Sequence, residues 1–225
     1  MPVLEGIKAC VFDAYGTLFD YNSAALRCRD ALGGKLERLN ALWREKQLQY
    51  TWLRSLEGHH ADFWQLTGDA LDFALEALQL GDAGLRHRLM NLYLTLDAYP
   101  EVPGVLKRLR DAGLRTAILS NGSPAMLEAA VANAGIGDLL DAVLSVEEVR
   151  IFKPHPRVYR LAADRLGLAP REIAFQSSNA WDAYAASAFG MRAVWCNRQG
   201  APRERLPGAP DRVISSLAEL PPLVS

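Results

Sequence analysis

The sequence lacks an excess of charge of either sign, and it lacks any long hydrophobic run. Its 225 residues include 25 Lys and Arg against 26 Asp and Glu, so the formal net charge is −1. A chain without a basic stripe is a poor partner for nucleic acid or an anionic membrane. No apolar run approaches the roughly 18 residues that span a bilayer, and residues 1–12 do not resemble a signal peptide. We therefore expect a cytoplasmic protein with no membrane and no nucleic-acid partner.

Cysteine is also scarce, and its number is odd. The cysteines share no spacing typical of a metal site, so we expect buried, reduced thiols at Cys10, Cys28 and Cys196. The chain is rich in apolar residues: 50% of its residues are hydrophobic and 23% are charged. This composition excludes disordered, collagen-like and disulfide-stapled proteins. The length allows one large domain, or a core with a smaller insertion.

The C-terminal portion repeats one pattern, in which a helix ends on a glycine and a short β-rich run follows. The predicted helices cover residues 105–112, 126–134, 158–166 and 184–189, followed by Gly113, Gly135, Gly167 and Gly190. Glycine adopts the left-handed conformation that commonly ends a helix. The predicted strands are residues 7–12, 115–119, 141–145, 172–176, 192–196 and, more briefly, 212–214. This alternation predicts an α/β fold with a parallel sheet between helices.

Between the first predicted strand and the others, residues 20–95 show helical periodicity and no convincing strand. Apolar residues recur there at helical spacing in three stripes: Leu36, Leu39 and Trp43; Leu71, Leu75 and Leu78; and Leu85, Leu89, Leu92 and Leu96. Thr67 is predicted to be the N-cap before the second stripe. The pattern indicates a helical cap inserted at residues 20–96, with a core domain formed by residues 1–19 and 97–225.

Polar residues follow four of the predicted strands at the point where each strand ends. They are Asp13, Tyr15 and Thr17, then Ser120 and Asn121, then Lys153, and finally Ser177, Asn179, Trp181 and Asp182. Open parallel sheets bind ligands outside the carboxyl ends of their strands. Each group alone also fits a structural role, as a turn residue or a helix cap. The four groups in this order favour one shared functional site.

Taken together, these groups resemble the four motifs of the haloacid dehalogenase superfamily, whose members are mostly phosphatases. The residues concerned are Asp13-Ala-Tyr-Gly-Thr-Leu18, Ser120-Asn-Gly122, Lys153-Pro154 and Ser177-Ser-Asn-Ala-Trp-Asp182. Within the superfamily the chain resembles the (S)-2-haloacid dehalogenases, on the strength of Tyr15, the last of these motifs and the cap segment from Leu42 to Leu56. The resemblance covers essentially the whole chain. It implies an α/β fold with a Rossmann-like, doubly wound parallel sheet core and an inserted all-helical cap domain.

Tyr15 separates the two branches of the superfamily. The phosphatases carry a second aspartate at this position, which protonates the leaving alcohol, while the first aspartate helps to hold magnesium. A phenol with a pKa of about 10 is a poor acid, and its ring narrows the space for a hydrated, octahedral magnesium ion. A departing halide needs no proton. These residues favour a dehalogenase with no metal and no cofactor, in which Lys153 supplies the main positive charge.

The resemblance implies hydrolytic dehalogenation of short (S)-2-haloalkanoic acids to (R)-2-hydroxyalkanoic acids through an aspartyl ester. Asp13 is expected to attack the halogen-bearing carbon, while Lys153 and Thr17 keep its carboxylate ionised. The residues expected to serve hydrolysis of the ester are Ser177, Asn179 and Asp182, and which of them is the base stays open. Tyr159 matches a family position and is expected to order Lys153 or the nucleophile.

The resemblance also implies how the substrate and the halide are bound. Arg44 of the cap is expected to hold the departing halide together with Asn121 and the ring of Trp181. Ser120 is expected to meet the substrate carboxylate beside backbone N–H groups. Phe63 and Tyr15 complete the set of residues placed near the substrate.

Two other functions stay open at this point. One is a magnesium-dependent phosphomonoesterase of the same superfamily, and the other is a non-catalytic binding protein on the same core. The dehalogenase has a 2-haloacid as its small-molecule partner and releases a halide. Family members are commonly dimers, so the resemblance implies a homodimer as well. None of the four histidines lies in a motif, and we expect them to be surface or packing residues.

Overall fold

The computed structural model describes residues 3–224, apart from the side chain of Ala83. Six parallel strands form one sheet in the order β5-β4-β1-β6-β7-β8. Numbered along the chain, they are β1 (Ala9–Phe12), β4 (Arg115–Ser120), β5 (Ala142–Ser145), β6 (Ile173–Ser177), β7 (Arg192–Cys196) and β8 (Arg212–Ile214). Every residue of β1 is buried, as a strand covered on both faces requires. Each strand lies within two residues of its predicted limits.

Helices of the predicted kind flank this sheet. They are α6 (Val102–Asp111), α7 (Pro124–Ala134), α8 (Pro156–Leu166), α9 (Ala180–Phe189) and α10 (Pro221–Val224). Helix α6 buries Val102, Val105, Leu106 and Leu109, which recur at helical spacing and form its core-facing stripe. Helices α7, α8 and α9 end on Gly135, Gly167 and Gly190, whose φ angles of 63°, 61° and 105° lie in the left-handed region. The predicted Rossmann-like core is therefore confirmed.

Strand β1 lies where the chain reverses its direction across the sheet. From β1 the chain moves to β4 and β5 on one side, returns to β6 on the other side, and continues outward to β7 and β8. Ligands of open parallel sheets bind at the carboxyl ends beside such a reversal. The segments that follow β1, β4 and β6 therefore meet at one edge of the sheet.

The cap consists of helices and covers that edge. Its elements are α1 (Ser23–Leu26), α2 (Arg29–Leu32), α3 (Leu36–Glu57), α4 (Phe63–Ala77) and α5 (Ala83–Tyr93). The two long helices, α3 and α4, pack side by side, and the indole of Trp43 donates to the carbonyl oxygen of Thr67 at 2.9 Å. The three predicted apolar stripes are buried, except that Leu92 is only partly buried.

The helix start predicted at Thr67 is wrong. Helix α4 begins after Asp62, whose carboxylate accepts from the Gln65 N–H at 2.9 Å. Aspartate is as good an N-cap as threonine, and the buried Phe63 extends the apolar stripe toward the N-terminus. Thr67 lies inside the helix, where it is buried and its hydroxyl donates to the carbonyl oxygen of Phe63 at 2.6 Å.

A small antiparallel pair of strands connects the cap to the core. Strand β2 (Phe19–Asp20) pairs with β3 (Asp97–Ala98). The prediction of no strand within residues 20–95 is wrong at one residue, Asp20, because a two-residue strand shows no periodicity. The pair brings the two ends of the helical segment together, which supports limits at residues 20 and 96. These limits stay a prediction.

Two side-chain contacts also join the cap to the segment that follows β5. The Ser55 hydroxyl accepts from the backbone N–H of Phe152 at 3.2 Å. His60 Nε2 lies 2.9 Å from the carboxylate of Glu147, and its ring lies 5.0 Å from that of Phe152. His60 is thus a packing residue, in line with the sequence analysis.

The cysteines of the core and the cap are free and buried, as predicted. Within residues 3–224, no helix combines the length and the apolar character that crossing a membrane requires.

Candidate active site

Asp13 follows β1 directly, and its backbone extends the strand. Its N–H donates to the carbonyl oxygen of Gln176 at 2.9 Å, which adds one rung to the contact between β1 and β6. The chain then turns back, and the carbonyl oxygen of Ala14 accepts from the N–H of Thr17 at 3.2 Å. Gly16 permits this turn because its φ is 89°. Because of this turn, the hydroxyl of Thr17 lies within hydrogen-bond distance of the Asp13 carboxylate.

The two carboxylate oxygens of Asp13 accept different numbers of hydrogen bonds. Oδ1 accepts one bond, from Lys153 Nζ at 3.1 Å. Oδ2 accepts from Asn179 Nδ2 at 2.9 Å, from Thr17 Oγ1 at 3.2 Å and, more weakly, from Ser177 Oγ at 3.5 Å. Asp13 is only 6% exposed, and these donors replace the water molecules that would hydrogen-bond to an exposed carboxylate.

Lys153 is the counter-charge of this site and is 1% exposed. Its Nζ also donates to Asp182 Oδ2 at 2.8 Å. Burial lowers the pKa of Lys153, but its attraction to Asp13 and Asp182 outweighs burial and raises the pKa above its usual range. At an effective dielectric constant of about 20, opposite charges ~4 Å apart attract by roughly 4 kcal/mol. The ammonium therefore stays charged between two carboxylates.

Asp182 lies in the first turn of α9 and is fully buried. Its Oδ1 accepts from the hydroxyl of Tyr159 at 2.7 Å. Burial raises the pKa of Asp182 although Lys153 opposes the shift, so this carboxylate is a stronger base than an ordinary aspartate. Burial also raises the pKa of Tyr159, which keeps its proton as a donor.

The contact made by Tyr159 differs from the expectation. The resemblance predicts that Tyr159 orders Lys153 or the nucleophile, whereas its hydroxyl donates to Asp182, which in turn accepts from Lys153. The reason is geometric: Tyr159 projects from α8, and the side chain it meets at 2.7 Å comes from the first turn of α9.

Arg44 brings the cap into the site. Its Nη2 donates to Asn179 Oδ1 at 3.2 Å, and its Nη1 donates to Gln47 Oε1 at 2.7 Å. Its guanidinium carbon lies 5.0 Å from the centre of the Tyr21 ring, within the range of a cation–π contact. A cap helix thus brings a positive charge to Asn179, which also donates to Asp13.

A small cavity separates Arg44 from Asp13. Its lining is formed by Asp13, Tyr15, Arg44, Leu48, Phe63, Ser120, Asn121, Lys153, Asn179 and Trp181. The open space is about 10 Å³, which is room for about one water molecule. Five of the lining side chains carry a charge or an amide (Asp13, Arg44, Asn121, Lys153 and Asn179), Ser120 and Tyr15 add hydroxyl groups, and Leu48, Phe63 and Trp181 close the remainder.

Tyr15 forms one wall of this cavity. Its ring lies 5.8 Å from that of Phe63 and 5.4 Å from that of Tyr93. The Tyr15 hydroxyl is buried, and within residues 3–224 it has no hydrogen-bond partner. A Cβ atom on Gly122 would lie 2.9 Å from Cε2 of Tyr15, so only glycine leaves room for the ring. Tyr15 therefore presents a buried, unused donor beside the Ser120–Gly122 turn.

Ser120 and Asn121 come from the end of β4. The Ser120 hydroxyl accepts from the N–H of Gly122 at 3.0 Å, an arrangement that leaves its own proton for a ligand. The Asn121 side-chain oxygen accepts from the backbone N–H of Lys153 at 3.0 Å. The turn after β4 is thereby tied to the lysine segment.

All residues predicted for the site lie in two connected groups. The hydrogen-bonded network contains Asp13, Thr17, Lys153, Tyr159, Ser177, Asn179 and Asp182. The cavity wall contains Tyr15, Arg44, Phe63, Ser120, Asn121 and Trp181. The placement is a structural fact, and the role of each residue stays a prediction.

Comparison with known proteins identifies the family. Residues 7–190 match the model of a hydrolase family described as haloacid dehalogenase-like hydrolase. Over 222 residues, 98% of either chain, the sequence is 48% identical to (S)-2-haloacid dehalogenase 1 of Pseudomonas sp. (strain CBS-3). The chain belongs to the (S)-2-haloacid dehalogenase family of the haloacid dehalogenase-like hydrolases.

Solved structures of this dehalogenase family superpose closely on the chain. A dehalogenase with an intermediate complex is 47% identical, covers 99% of both chains and has a TM-score of 0.96. An L-2-haloacid dehalogenase from Xanthobacter autotrophicus with chloropropionic acid covalently bound is 41% identical and has a TM-score of 0.87, over 96% of this chain and 98% of that one. These similarities confirm the predicted core with a helical cap.

Two residues of this family member take part in the site although the sequence analysis did not single them out. The backbone N–H of Ser178 donates to Thr17 Oγ1 at 2.8 Å, and the Ser178 hydroxyl donates to the carbonyl oxygen of Gly16 at 2.6 Å. Gln47 accepts from Arg44. A signal existed for Gln47: it continues the apolar stripe of Leu39 and Trp43 by one more helical turn, where a polar side chain is buried and needs partners.

The superfamily's phosphatases imply magnesium, and the donor set here does not suit it. Between the Asp13 and Asp182 carboxylates lies the ammonium of Lys153, at 3.1 and 2.8 Å. Tyr15, whose ring packs among aromatic side chains, stands where the phosphatases carry a second aspartate. Magnesium requires near-octahedral oxygen ligation. In the described part of the chain, no three His, Cys, Asp or Glu side chains gather as a metal site.

Proposed function

We propose that the chain hydrolyses short (S)-2-haloalkanoic acids to (R)-2-hydroxyalkanoic acids through an ester on Asp13, without a metal ion. The observation that carries this proposal is the buried ammonium of Lys153, which bridges Asp13 and Asp182. The names of the relatives, and the neighbour with chloropropionic acid covalently bound, support the substrate class.

In the first step a carboxylate oxygen of Asp13 attacks C2 of the substrate from the side opposite the halogen. The new O–C bond forms as the carbon–halogen bond breaks, the halide leaves with the electron pair, and C2 is inverted. Oδ1 is the better nucleophile, because it accepts one hydrogen bond while Oδ2 accepts up to three. Held by its donors, Oδ2 becomes the carbonyl oxygen of the ester.

The cavity wall supplies the groups that hold the substrate. The guanidinium of Arg44 attracts the departing halide, with Asn121 and the ring of Trp181 beside it. The hydroxyl protons of Ser120 and Tyr15 are free to meet the substrate carboxylate. Since the cavity holds about one water molecule, cap side chains shift when a haloacid enters, and Phe63 and Leu48 limit the alkyl chain to a short one.

In the second step water attacks the carbonyl carbon of the Asp13 ester. Asp182 takes a proton from this water, because it is an anion with a raised pKa, whereas the amide of Asn179 does not accept protons near neutral pH. Negative charge develops on Oδ2, where Asn179 and Thr17 donate. The intermediate collapses by breaking the bond from the aspartyl carbon to Oδ1, and the alkoxide takes the proton from Asp182. The renewed carboxyl group then loses its remaining proton to solvent.

The deciding experiment measures halide release from both enantiomers of 2-chloropropionate, with and without EDTA. We expect chloride and (R)-lactate from the (S) enantiomer, unchanged by EDTA, and no turnover by Asp13→Asn. Hydrolysis of an aryl phosphate that EDTA abolishes would instead establish a phosphomonoesterase. Absence of both activities would favour a non-catalytic protein.

A further inference from the structure

We propose that Gln47 is a positioning residue for halide departure, acting through Arg44. Its side-chain amide holds the guanidinium in the orientation that faces the cavity and Asn179. The inference rests on the proposed function, because it assigns Gln47 a part in the step in which Arg44 receives the halide.

Gln47 is buried in the cap although its side chain is polar. It is 1% exposed and lies on the face of α3 that also buries Trp43 and Thr51. An amide left without partners in such a place destabilises the folded state. Both ends of the amide are paired: Nε2 donates to Thr67 Oγ1 at 2.8 Å, and Oε1 accepts from Arg44 Nη1 at 2.7 Å.

The neighbours determine which end of the amide faces Arg44. Thr67 uses its hydroxyl proton for the carbonyl oxygen of Phe63, 2.6 Å away. Its oxygen can therefore only accept from Gln47, so the NH₂ group of Gln47 faces Thr67 and the oxygen faces Arg44. Nε2 of Gln47 also donates to the hydroxyl of Tyr93 at 3.2 Å.

The orientation is then passed on to the nucleophile. Arg44 has only donors, so the oxygen of Asn179 faces Arg44 at 3.2 Å and the NH₂ group faces Asp13 Oδ2 at 2.9 Å. One continuous chain of hydrogen bonds links Thr67, Gln47, Arg44, Asn179 and Asp13. Without Gln47, one nitrogen of the Arg44 guanidinium loses its hydrogen-bond acceptor. The guanidinium, which attracts the halide, is then held less firmly in place.

The test compares substrates that differ only in their leaving group. Gln47→Met keeps the length and volume of the side chain and removes the contacts of the amide with Arg44, Thr67 and Tyr93. We expect kcat/KM, which covers the steps up to halide departure, to fall about tenfold for (S)-2-chloropropionate. For (S)-2-bromopropionate the decrease in kcat/KM should be smaller, by a factor of about three or more. Bromide is the better leaving group, so its departure depends less on Arg44. Inhibition by added chloride should weaken about tenfold.

A matched control is available on the same helix. Thr51→Val changes a buried polar residue one turn away, whose hydroxyl donates only to the carbonyl oxygen of Leu48 at 2.7 Å. This variant should keep the wild-type ratio of bromide to chloride rates. Should Gln47→Met fail to fold, Thr67→Val removes the anchor of the same amide and should shift the ratio in the same direction.

The outcomes separate the inference from the proposed function. A larger bromide-to-chloride ratio with weakened chloride inhibition supports the positioning role. Equal losses for both substrates, or unchanged chloride inhibition, overturn it and leave Gln47 with a purely structural role. If the wild-type chain releases no halide at all, the proposed function itself is wrong.

Discussion

The ammonium nitrogen of Lys153 lies 3.1 Å from Asp13 Oδ1, with Lys153 only 1% exposed. A charge so deeply buried is tolerated only when it is paired. The pairing gives the Asp13 carboxylate a counter-charge in a site from which water is largely excluded, and a desolvated carboxylate is the stronger nucleophile toward saturated carbon. Stability and reactivity of the site therefore depend on the same contact.

The first prediction concerns Lys153→Met, which keeps most of the side-chain volume and removes the charge. We expect kcat/KM to fall about a hundredfold or more and the free energy of unfolding at neutral pH to fall by about 3–5 kcal/mol. Asp13 and Asp182 then repel each other, so the folded variant takes up a proton, and its stability decreases as the pH rises. Urea unfolding at several pH values measures this slope. A variant whose stability increases with pH would contradict the account.

The second prediction concerns the pH dependence of kcat. Asp182 must be ionised to take a proton from water, and burial raises its pKa despite the opposing charge of Lys153. The acid limb of the profile should therefore lie above the ordinary range of aspartate, about 4. Lys153 sets no alkaline limit below the ordinary lysine range, because its own pKa is raised. A kcat that holds constant down to the ordinary aspartate range would exclude Asp182 as the base.

The third prediction concerns Tyr159→Phe. This variant removes the donor that lies 2.7 Å from Asp182 Oδ1. The carboxylate loses a bond that favours its charged form, so the acid limb of kcat should move to higher pH by about one unit. Halide release in the first turnover should change less, because the proposed role of Asp182 lies in the second step. Rapid-mixing measurements of halide release distinguish the two steps, and an unmoved acid limb would count against this role.

The fourth prediction concerns Tyr15→Phe, in which activity and stability move in opposite directions. The hydroxyl of Tyr15 is buried and has no partner within residues 3–224, so its removal should raise the free energy of unfolding by about 1 kcal/mol. If the hydroxyl meets the substrate, KM should rise about tenfold. Tyr93→Phe is the matched control and should lose stability, because that hydroxyl lies 3.2 Å from Gln47 Nε2. An unchanged KM in Tyr15→Phe would remove the hydroxyl from the binding site.

The sheet and its polar edge could be predicted because their signals are local. Four of the six core strands (β4, β5, β6 and β7) are short β-rich runs that follow a glycine at the end of a helix, and Asp13 directly follows β1. Tyr15 could also be interpreted from its position in a short motif, because it is an aromatic residue where the metal-binding branch of the superfamily has a carboxylate.

The contacts that could not be predicted are those that join separate elements. Tyr159 meets Asp182 because of how α8 and α9 pack, and no spacing in the sequence reports that distance. Gln47 depends on Thr67, which the sequence analysis placed at a helix start rather than inside α4. Strand β2, two residues long, carries no periodicity at all.

The most direct test of the central claim is a single turnover in ¹⁸O-labelled water with enzyme in excess over (S)-2-chloropropionate. If Asp13 attacks carbon and water cleaves the ester at the aspartyl carbonyl, the label appears in the Asp13 carboxylate and the first lactate formed is unlabelled. Mass spectrometry of the peptide that contains Asp13 and of the product measures both. Label found in the first lactate, with an unlabelled Asp13 peptide, would show that water attacks the substrate directly and would contradict the account.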